Sequence, residues 1–165
     1  MALSVVVLNR EHDVALFHCD VLALNDWLAK IARQHQKNNL SNSFVLVDDA
    51  NPSCILGYYA LAIRGLIHTQ TLPPHMAKRL PTHVPGLTLA RLAVASREQK
   101  KGYGEMLLMD AMVRAKTVSQ QTGGYALFVD AKDQGAAQFY GKYGFVALPL
   151  SPLTMAITIA AMTAP

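Results

Sequence analysis

The strand–turn–helix unit at residues 89–116 limits what this chain can fold into more than any other segment. LARLAV, at residues 89–94, is a continuous apolar run typical of a buried strand. After the turn SREQKK, apolar residues recur at helical spacing over residues 105–119: Leu107, Leu108, Ala111, Met112, Ala115 and Val118. A buried strand followed at once by an amphipathic helix predicts a helix packed on a sheet.

Elements of both kinds flank this unit. The patterns predict further strands at residues 5–8, 44–47, 55–62, 125–129, 145–147 and 153–159, and helices at about 20–35 and at 135–143. DDANPS, at 48–53, is predicted to be a hairpin turn, and 69–86, with four prolines, to be irregular. We therefore predict an α+β fold over residues 1–165, a single domain with a central, mostly antiparallel mixed sheet flanked by helices.

Composition narrows the class of protein. Hydrophobic residues make up 52% of the chain and charged residues 16%, which excludes a disordered chain and predicts a covered surface such as a dimer interface. The net charge of +4 is compatible with phosphate-bearing ligands. Cys19 and Cys54 form no CxxC motif and are interpreted as reduced residues of a cytoplasmic protein. The apolar run at 153–162 is too short to span a bilayer, so no membrane association is expected.

Two glycines at the start of the predicted helix need an explanation, because glycine is a poor helix former. The first amides of a helix have no intrahelical partner and carry partial positive charge, which makes them a site for anions. Gly102 and Gly104 would let the backbone approach a phosphate closely, and Lys100 and Lys101 add positive charge. The alternative is that the glycines only shape a tight turn.

The same residues resemble the acetyl-CoA motif of the GCN5-related N-acetyltransferase (GNAT) superfamily. QKKGYG follows a strand that ends in RLAV, and the matching residues are Gln99, Lys100, Lys101, Gly102, Tyr103 and Gly104. The resemblance implies that the amides of this turn hold the CoA pyrophosphate, and that the backbone of Leu92, Ala93 and Val94 pairs with the pantetheine arm. Lys101 stands where the family often has Arg, which keeps the charge but loses the bidentate fork. No metal is implied, and the six histidines have no metal-ligand spacing.

A second block, FVDAKDQGAAQFYGKYGF at 128–145, resembles the late strand and helix of the same family. Tyr140 matches the family tyrosine whose hydroxyl lies near the CoA sulfur, and this implies a general acid for the departing thiolate. The alternative role is packing on one face of a short helix, which is the interpretation we give to Phe139 and Tyr143.

A narrower resemblance covers nearly the whole chain. LNDWLAKIARQHQ, GYYALAIRG, LARLAVASREQKKGYG, DAKDQGAAQFYGKYGF and PLSPLTMAI look like the toxins of type II toxin–antitoxin systems that have this fold. The resemblance implies acetylation of the α-amino group of aminoacyl-tRNA, inhibition of translation, a ribbon-helix-helix antitoxin and a homodimer. Two alternatives stay open: an acetyltransferase acting on a small-molecule or protein amine, and a non-catalytic acyl-CoA-binding module.

Contact with tRNA would need a patch of basic side chains. The candidates beside the expected acceptor side are Arg64, Lys78, Arg79 and Arg91. The alternative is that all four are ordinary solvated surface charges.

Overall fold

A computed structural model describes residues 2–162 of the chain. Met1 and residues 163–165, at the two ends of the predicted domain, lie outside the described residues. The described chain divides into two compact units, one formed by residues 2–62 and 90–111 and the other by 63–89 and 112–162. That residues 1–165 act as one acetyltransferase domain stays a prediction.

The chain contains both strands and helices, in runs of one to three elements of one kind, as predicted for an α+β fold. The strands are β1 Leu3–Val7, β2 Asn42–Asp48, β3 Gly57–His68, β4 His83–Val94, β5 Ala126–Asp130, β6 Val146–Leu148 and β7 Ser151–Thr158. The helices are α1 Leu22–Lys30, α2 Ala32–Lys37, α3 Tyr103–Thr122 and α4 Gln134–Gly141, with 3-10 turns at Thr69–Thr71, Pro74–Met76, Ser96–Glu98 and Ile159–Ala161.

The strand order β1-β2-β3-β4-β5-β7-β6 defines a mixed sheet, and β3 and β4 each run through both units. The pairs β1/β2, β2/β3, β5/β7 and β6/β7 are antiparallel, whereas β4/β5 is parallel. The predicted mixed, mostly antiparallel sheet is confirmed.

Two strands are longer than the sequence predicts. β3 continues to His68 instead of ending at residue 62, and β4 begins at His83, so the last four residues of the predicted irregular segment, 83–86, belong to a strand. Gly65 and Pro85 concealed this, because glycine and proline usually mark turns. In the structure Gly65 has a φ of +111° inside β3. Pro85 lacks an amide hydrogen, but its carbonyl accepts a hydrogen bond from the Tyr125 amide at 2.8 Å.

The predicted helix at 20–35 is two helices rather than one. Ile31, with φ −121°, ends α1 and precedes α2. Trp27, Leu28 and Ala32 from the predicted apolar stripe are buried, whereas Ile31 is 38% exposed. The break therefore turns one member of the stripe away from the core of the first unit.

Each unit has its own apolar core. In the first, the Trp27 and Tyr58 rings are stacked with centroids 6.2 Å apart, and the Tyr58 hydroxyl donates to the Leu24 carbonyl at 2.6 Å. In the second, Phe128 packs with Leu72, Met76 and Val84, so the proline-containing segment covers one face of β5. Within residues 2–162, no helix has the length and apolar character needed to cross a bilayer.

Gly57 supports the end of β4 in the first unit. A Cβ at Gly57 would lie 2.8 Å from Leu107 Cδ1 and 2.9 Å from the Ala93 carbonyl oxygen. The Leu107 side chain could rotate away from such a Cβ, but the Ala93 carbonyl belongs to the backbone and has little freedom to move.

Gly57→Ala is expected to lower the free energy of unfolding by about 1–3 kcal/mol, the usual cost of overpacking, measured by urea denaturation. Gly141→Ala is the matched control, since nothing lies within 4 Å of a Cβ there. It should be neutral or slightly stabilising, because alanine is the better helix former. Equal stability of both variants would show that the approach at Gly57 relaxes without cost.

Candidate active site

The QKKGYG turn connects β4 to α3 and includes the first residues of that helix. Lys100 and Gly102 have φ values of 66° and 83°, in the left-handed region, and α3 begins at Tyr103. No atom lies within 4 Å of where a Cβ on Gly102 would stand, so glycine is needed there for its backbone conformation rather than for packing. The open space beside Gly102 suits close approach of an anion to the first amides of α3.

The two lysines of the turn differ in their surroundings. Lys101 Nζ lies 2.7 Å from Glu98 Oε2, and this hydrogen bond raises the pKa of the lysine. Lys100 is exposed and makes no ion pair with any residue in 2–162. Lys100 is therefore the cation of the turn that is free to meet a phosphate, whereas Lys101 would share its charge with Glu98.

The turn is joined to the strand that precedes it. Gln99 Nε2 donates to the Val94 carbonyl at 3.4 Å, a long hydrogen bond, and the Ala95 amide donates to the Leu56 carbonyl at 2.9 Å. Ala93 is buried, and Leu92 and Val94 are half-buried. The first unit therefore brings together the residues predicted to contact the pantetheine arm and those predicted to contact the pyrophosphate.

Tyr140 lies near the end of α4 in the second unit. Asp133 caps this helix, since its Oδ1 accepts from the Ala136 amide at 2.8 Å. The Tyr140 ring contacts Phe139 and Phe145 edge-on, with centroids 5.3 and 5.6 Å away.

Burial raises the pKa of Tyr140 to about 12, and its hydroxyl has no hydrogen-bond partner among residues 2–162. The aromatic contacts satisfy the packing role considered for this residue. They leave the hydroxyl as a protonated donor with unused capacity, which is what a general acid needs.

The four predicted basic contacts fall into two pairs. Arg64 makes a bidentate ion pair with Asp130, at 3.0 and 3.1 Å, and Arg91 lies over the Trp27 ring at 5.0 Å. Lys78 and Arg79 are exposed and have no ion pair within the described chain. Contact of these residues with tRNA stays a prediction, and only Lys78 and Arg79 offer charge that no neighbour already occupies.

Two cavities were not foreseen from the sequence. The first unit has one of about 550 Å³ lined by Phe17, Ile55 and Arg97, among others. The second unit has one of about 490 Å³ against Phe128. Their linings come from segments far apart in the chain, so no local pattern could reveal them. Residues 2–162 contain no group of three or more His, Cys, Asp or Glu that could hold a metal ion.

Comparison with known proteins agrees with this geometry. A family model described as an acetyltransferase (GNAT) domain matches residues 39–147, a span that includes β4, the QKKGYG turn and α4. This chain therefore belongs to the GNAT acetyltransferase family, and the predicted resemblance is confirmed.

The more specific similarity is to toxins. The chain is 33% identical over 141 residues to a tRNA-acetylating toxin of Mycobacterium tuberculosis, covering 86% of this chain and 82% of that protein. AtaT complexed with acetyl-methionyl-tRNAfMet is 26% identical, with a TM-score of 0.89 over 97% of this chain and 96% of AtaT. A tyrosine-to-phenylalanine variant of AtaT, bound to the C-terminus of the antitoxin AtaR and acetyl-CoA, is 25% identical, with a TM-score of 0.80 over 96% and 94%.

Gly102→Val is expected to weaken acetyl-CoA binding at least tenfold, because a β-branched residue is a severe outlier at positive φ and would reorient the turn. Titration calorimetry measures the affinity. Lys100→Gly is the control: glycine suits the positive φ at that position, so its effect should be confined to the lost charge. Wild-type affinity in Gly102→Val would remove the turn from the binding site.

Proposed function

We propose that this chain transfers an acetyl group from acetyl-CoA to the α-amino group of an aminoacyl-tRNA, and that it acts as a translation-blocking toxin. The observation that carries the proposal is the similarity to the tRNA-acetylating toxin, which extends over 86% of this chain. The QKKGYG turn and Tyr140, described above, supply binding and acid groups suited to that reaction.

Binding of acetyl-CoA falls to the first unit. The amides at the start of α3, with Gln99, Lys100, Lys101, Gly102, Tyr103 and Gly104, hold the pyrophosphate, and the backbone of Leu92, Ala93 and Val94 pairs with the pantetheine arm. The left-handed turn and the free charge of Lys100 support this assignment. Binding by backbone amides also explains why a lysine serves at 101, where the bidentate geometry of arginine is not required.

The chemistry needs little help from a base. A free α-amino group has a pKa of about 7.7–8.0, and esterification of the neighbouring carboxyl lowers that pKa further. Much of the acceptor amine is therefore already neutral. Acetyl-CoA supplies the acetyl group: the amine nitrogen bonds to the thioester carbonyl carbon as the carbon–sulfur bond breaks and the electron pair leaves with sulfur. Tyr140 gives its phenolic proton to that sulfur and regains one from the acylated nitrogen through solvent.

The nucleic-acid side of the substrate calls for exposed cations. Lys78 and Arg79 follow the 3-10 turn Pro74–Met76 and extend into solvent. Phosphate contacts need charge and little sequence specificity, so this pair suits a tRNA backbone. Arg64 and Arg91 are also predicted to contact tRNA. Because Arg64 is paired with Asp130 and Arg91 lies over the Trp27 ring, we expect both to contribute less to tRNA binding than Lys78 and Arg79 do.

A toxin requires a means of neutralisation. We infer a ribbon-helix-helix antitoxin as partner, a cytoplasmic location and a homodimer. The exposure of large apolar side chains, such as Ile63 at 79% and Leu66 at 72%, supports an interface with another chain.

The proposed function is tested by incubating the purified chain with acetyl-CoA and a mixture of charged tRNAs. Mass spectrometry of the aminoacyl adenosine released by nuclease should show one added acetyl group. Acetylation of free amines or of protein lysines, with charged tRNA unchanged, would instead make the chain an ordinary acetyltransferase.

Tyr140→Phe is expected to lower the single-turnover rate roughly 10²–10⁴-fold, the usual contribution of a general acid. The ring and its contacts with Phe139 and Phe145 remain, so stability and acetyl-CoA affinity should change little. Phe139→Leu is the matched control, since it alters packing on the same helix without removing a hydroxyl.

The pH profile gives a second measurement on Tyr140. Because burial raises its pKa to about 12, the phenol stays protonated as pH rises from 7 to 10. The wild-type rate should rise as the amine deprotonates and then level off. A fall in rate near pH 10 that Tyr140→Phe abolishes would contradict the raised pKa, and equal rates in both proteins would return Tyr140 to a packing role.

Reversing both charges, Lys78→Glu with Arg79→Glu, is expected to weaken tRNA binding by roughly tenfold or more at low salt and to flatten its salt dependence. Acetyl-CoA affinity should not change. Arg10→Glu with Lys37→Glu is the control, because both of these cations are exposed and the net charge changes equally. If filter binding shows the same loss for both pairs, the effect is one of net charge and the patch lies elsewhere.

A further inference from the structure

The cavity in the second unit is lined by apolar side chains and by Arg64, an arginine that is already ion-paired. Ile67, Phe128, Leu148 and Leu150 supply the apolar surface of a space of about 490 Å³. Arg64 also lines it, with its guanidinium 5.1 Å from the centre of the Phe128 ring. The remaining lining is polar and contains no carboxylate or lysine, and the Nδ1 of its histidine, His68, accepts a hydrogen bond from the Gln70 amide.

The charge of Arg64 is balanced where it stands. Its Nη1 and Nη2 lie 3.0 and 3.1 Å from the two carboxylate oxygens of Asp130, and Thr154 Oγ1 donates to Asp130 Oδ1 at 2.9 Å. A cationic side chain entering the cavity would therefore meet no carboxylate in its lining, and an anionic one would meet a guanidinium that is already paired. Either side chain would lose hydration without compensation, which is costly, whereas an apolar group would gain from burial.

An irregularity in β3 builds this wall. Arg64 and Ile67 are three residues apart, and in a regular strand such residues point to opposite faces of a sheet. Both line the same cavity, because Gly65 between them has a φ of +111° and breaks the alternation. A side chain at Gly65 would meet no atom within 4 Å, so its backbone conformation, not packing, is what requires glycine here.

The cavity lies on the sheet face opposite the end of α4. A Cβ at Gly144, in the turn that follows α4, would lie 3.2 Å from Ile157, and Ile157 is paired with Leu127. Phe128, which lines the cavity, is the next residue along β5 and points to the other face. The helix that carries Tyr140 and the cavity therefore lie on opposite faces. The cavity extends to the end of β5, because its lining residues Arg64 and Thr154 contact Asp130, from which the chain continues into α4.

We propose that this cavity receives the side chain of the amino acid esterified to the tRNA and selects uncharged, predominantly apolar side chains. This specificity rests on the proposed function. The cavity's volume exceeds that of any single side chain, so its lining, rather than its size, decides between acceptors.

The test compares kcat/KM for tRNAs charged with leucine, methionine, isoleucine, aspartate and lysine. In the wild type, kcat/KM for the leucyl, methionyl and isoleucyl substrates should be roughly a hundredfold higher than kcat/KM for the aspartyl and lysyl substrates, because burying an unpaired charge is costly. Leu150→Glu should raise the ratio of kcat/KM for lysyl-tRNA to that for leucyl-tRNA several-fold, because the new carboxylate would pair with the lysyl ammonium. Leu150→Lys should raise the aspartyl-to-leucyl ratio of kcat/KM by a similar factor for the converse reason. Leu150 is 96% exposed, so both variants should fold. Leu22→Glu is the control, since Leu22 is 71% exposed and does not line the cavity.

The outcomes separate this proposal from the broader one. If the wild type acetylates no charged tRNA, the proposed function itself fails. If it acetylates all five equally, or if the Leu150 variants leave the ratios unchanged, the function stands and the cavity assignment is overturned. If Leu150→Glu slows every substrate equally and also dissociates a dimer in sedimentation, the cavity is covered by a second copy of the chain, and the assignment is again overturned.

Discussion

The arrangement of the second unit depends on one constraint, which is that both faces of β5 are buried. Ala126, Leu127, Phe128 and Val129 are each at most 1% exposed, so β5 must be covered above and below and paired at both edges. Parallel pairing with β4 and antiparallel pairing with β7 satisfy its edges. The strand then ends at Asp130, which is exposed and forms the ion pair with Arg64.

The alternation of side chains along β5 separates two functions. Phe128 and Ala126 face the proline-containing segment and the cavity, whereas Leu127 pairs with Ile157 on the face that meets the end of α4. Two residues of the same short strand thus contact the cavity of the second unit on one side and the face that meets the helix of Tyr140 on the other. A shift of one residue in register would exchange these faces, so the β5 pairing fixes which side chains line the cavity.

The sequence predicted those parts of the molecule that depend on neighbouring residues. The buried strand, the glycine turn and the amphipathic helix at 89–116 follow from local periodicity and from the conformational freedom of glycine, and the structure has them within a few residues. The extent of β3 and β4 could not be predicted, because Gly65 and Pro85 usually signal turns and here sit within paired strands. The engagement of Arg64 could not be predicted either, since its partner Asp130 is distant in sequence and only strand pairing brings them together.

Which cations of this protein are available to bind a ligand depends more on their neighbours in the fold than on the net charge. The net charge of +4 is compatible with phosphate-bearing substrates, yet Lys101 is paired with Glu98, Arg64 with Asp130, and Arg91 with an aromatic ring. The cations that remain free are exposed ones such as Lys78, Arg79 and Lys100. In the binding mode we propose, backbone amides bind the pyrophosphate, because a turn with these φ values attracts an anion without the charge of a side chain. The exposed lysines and arginines would then contact the tRNA, where charge without fixed geometry is sufficient.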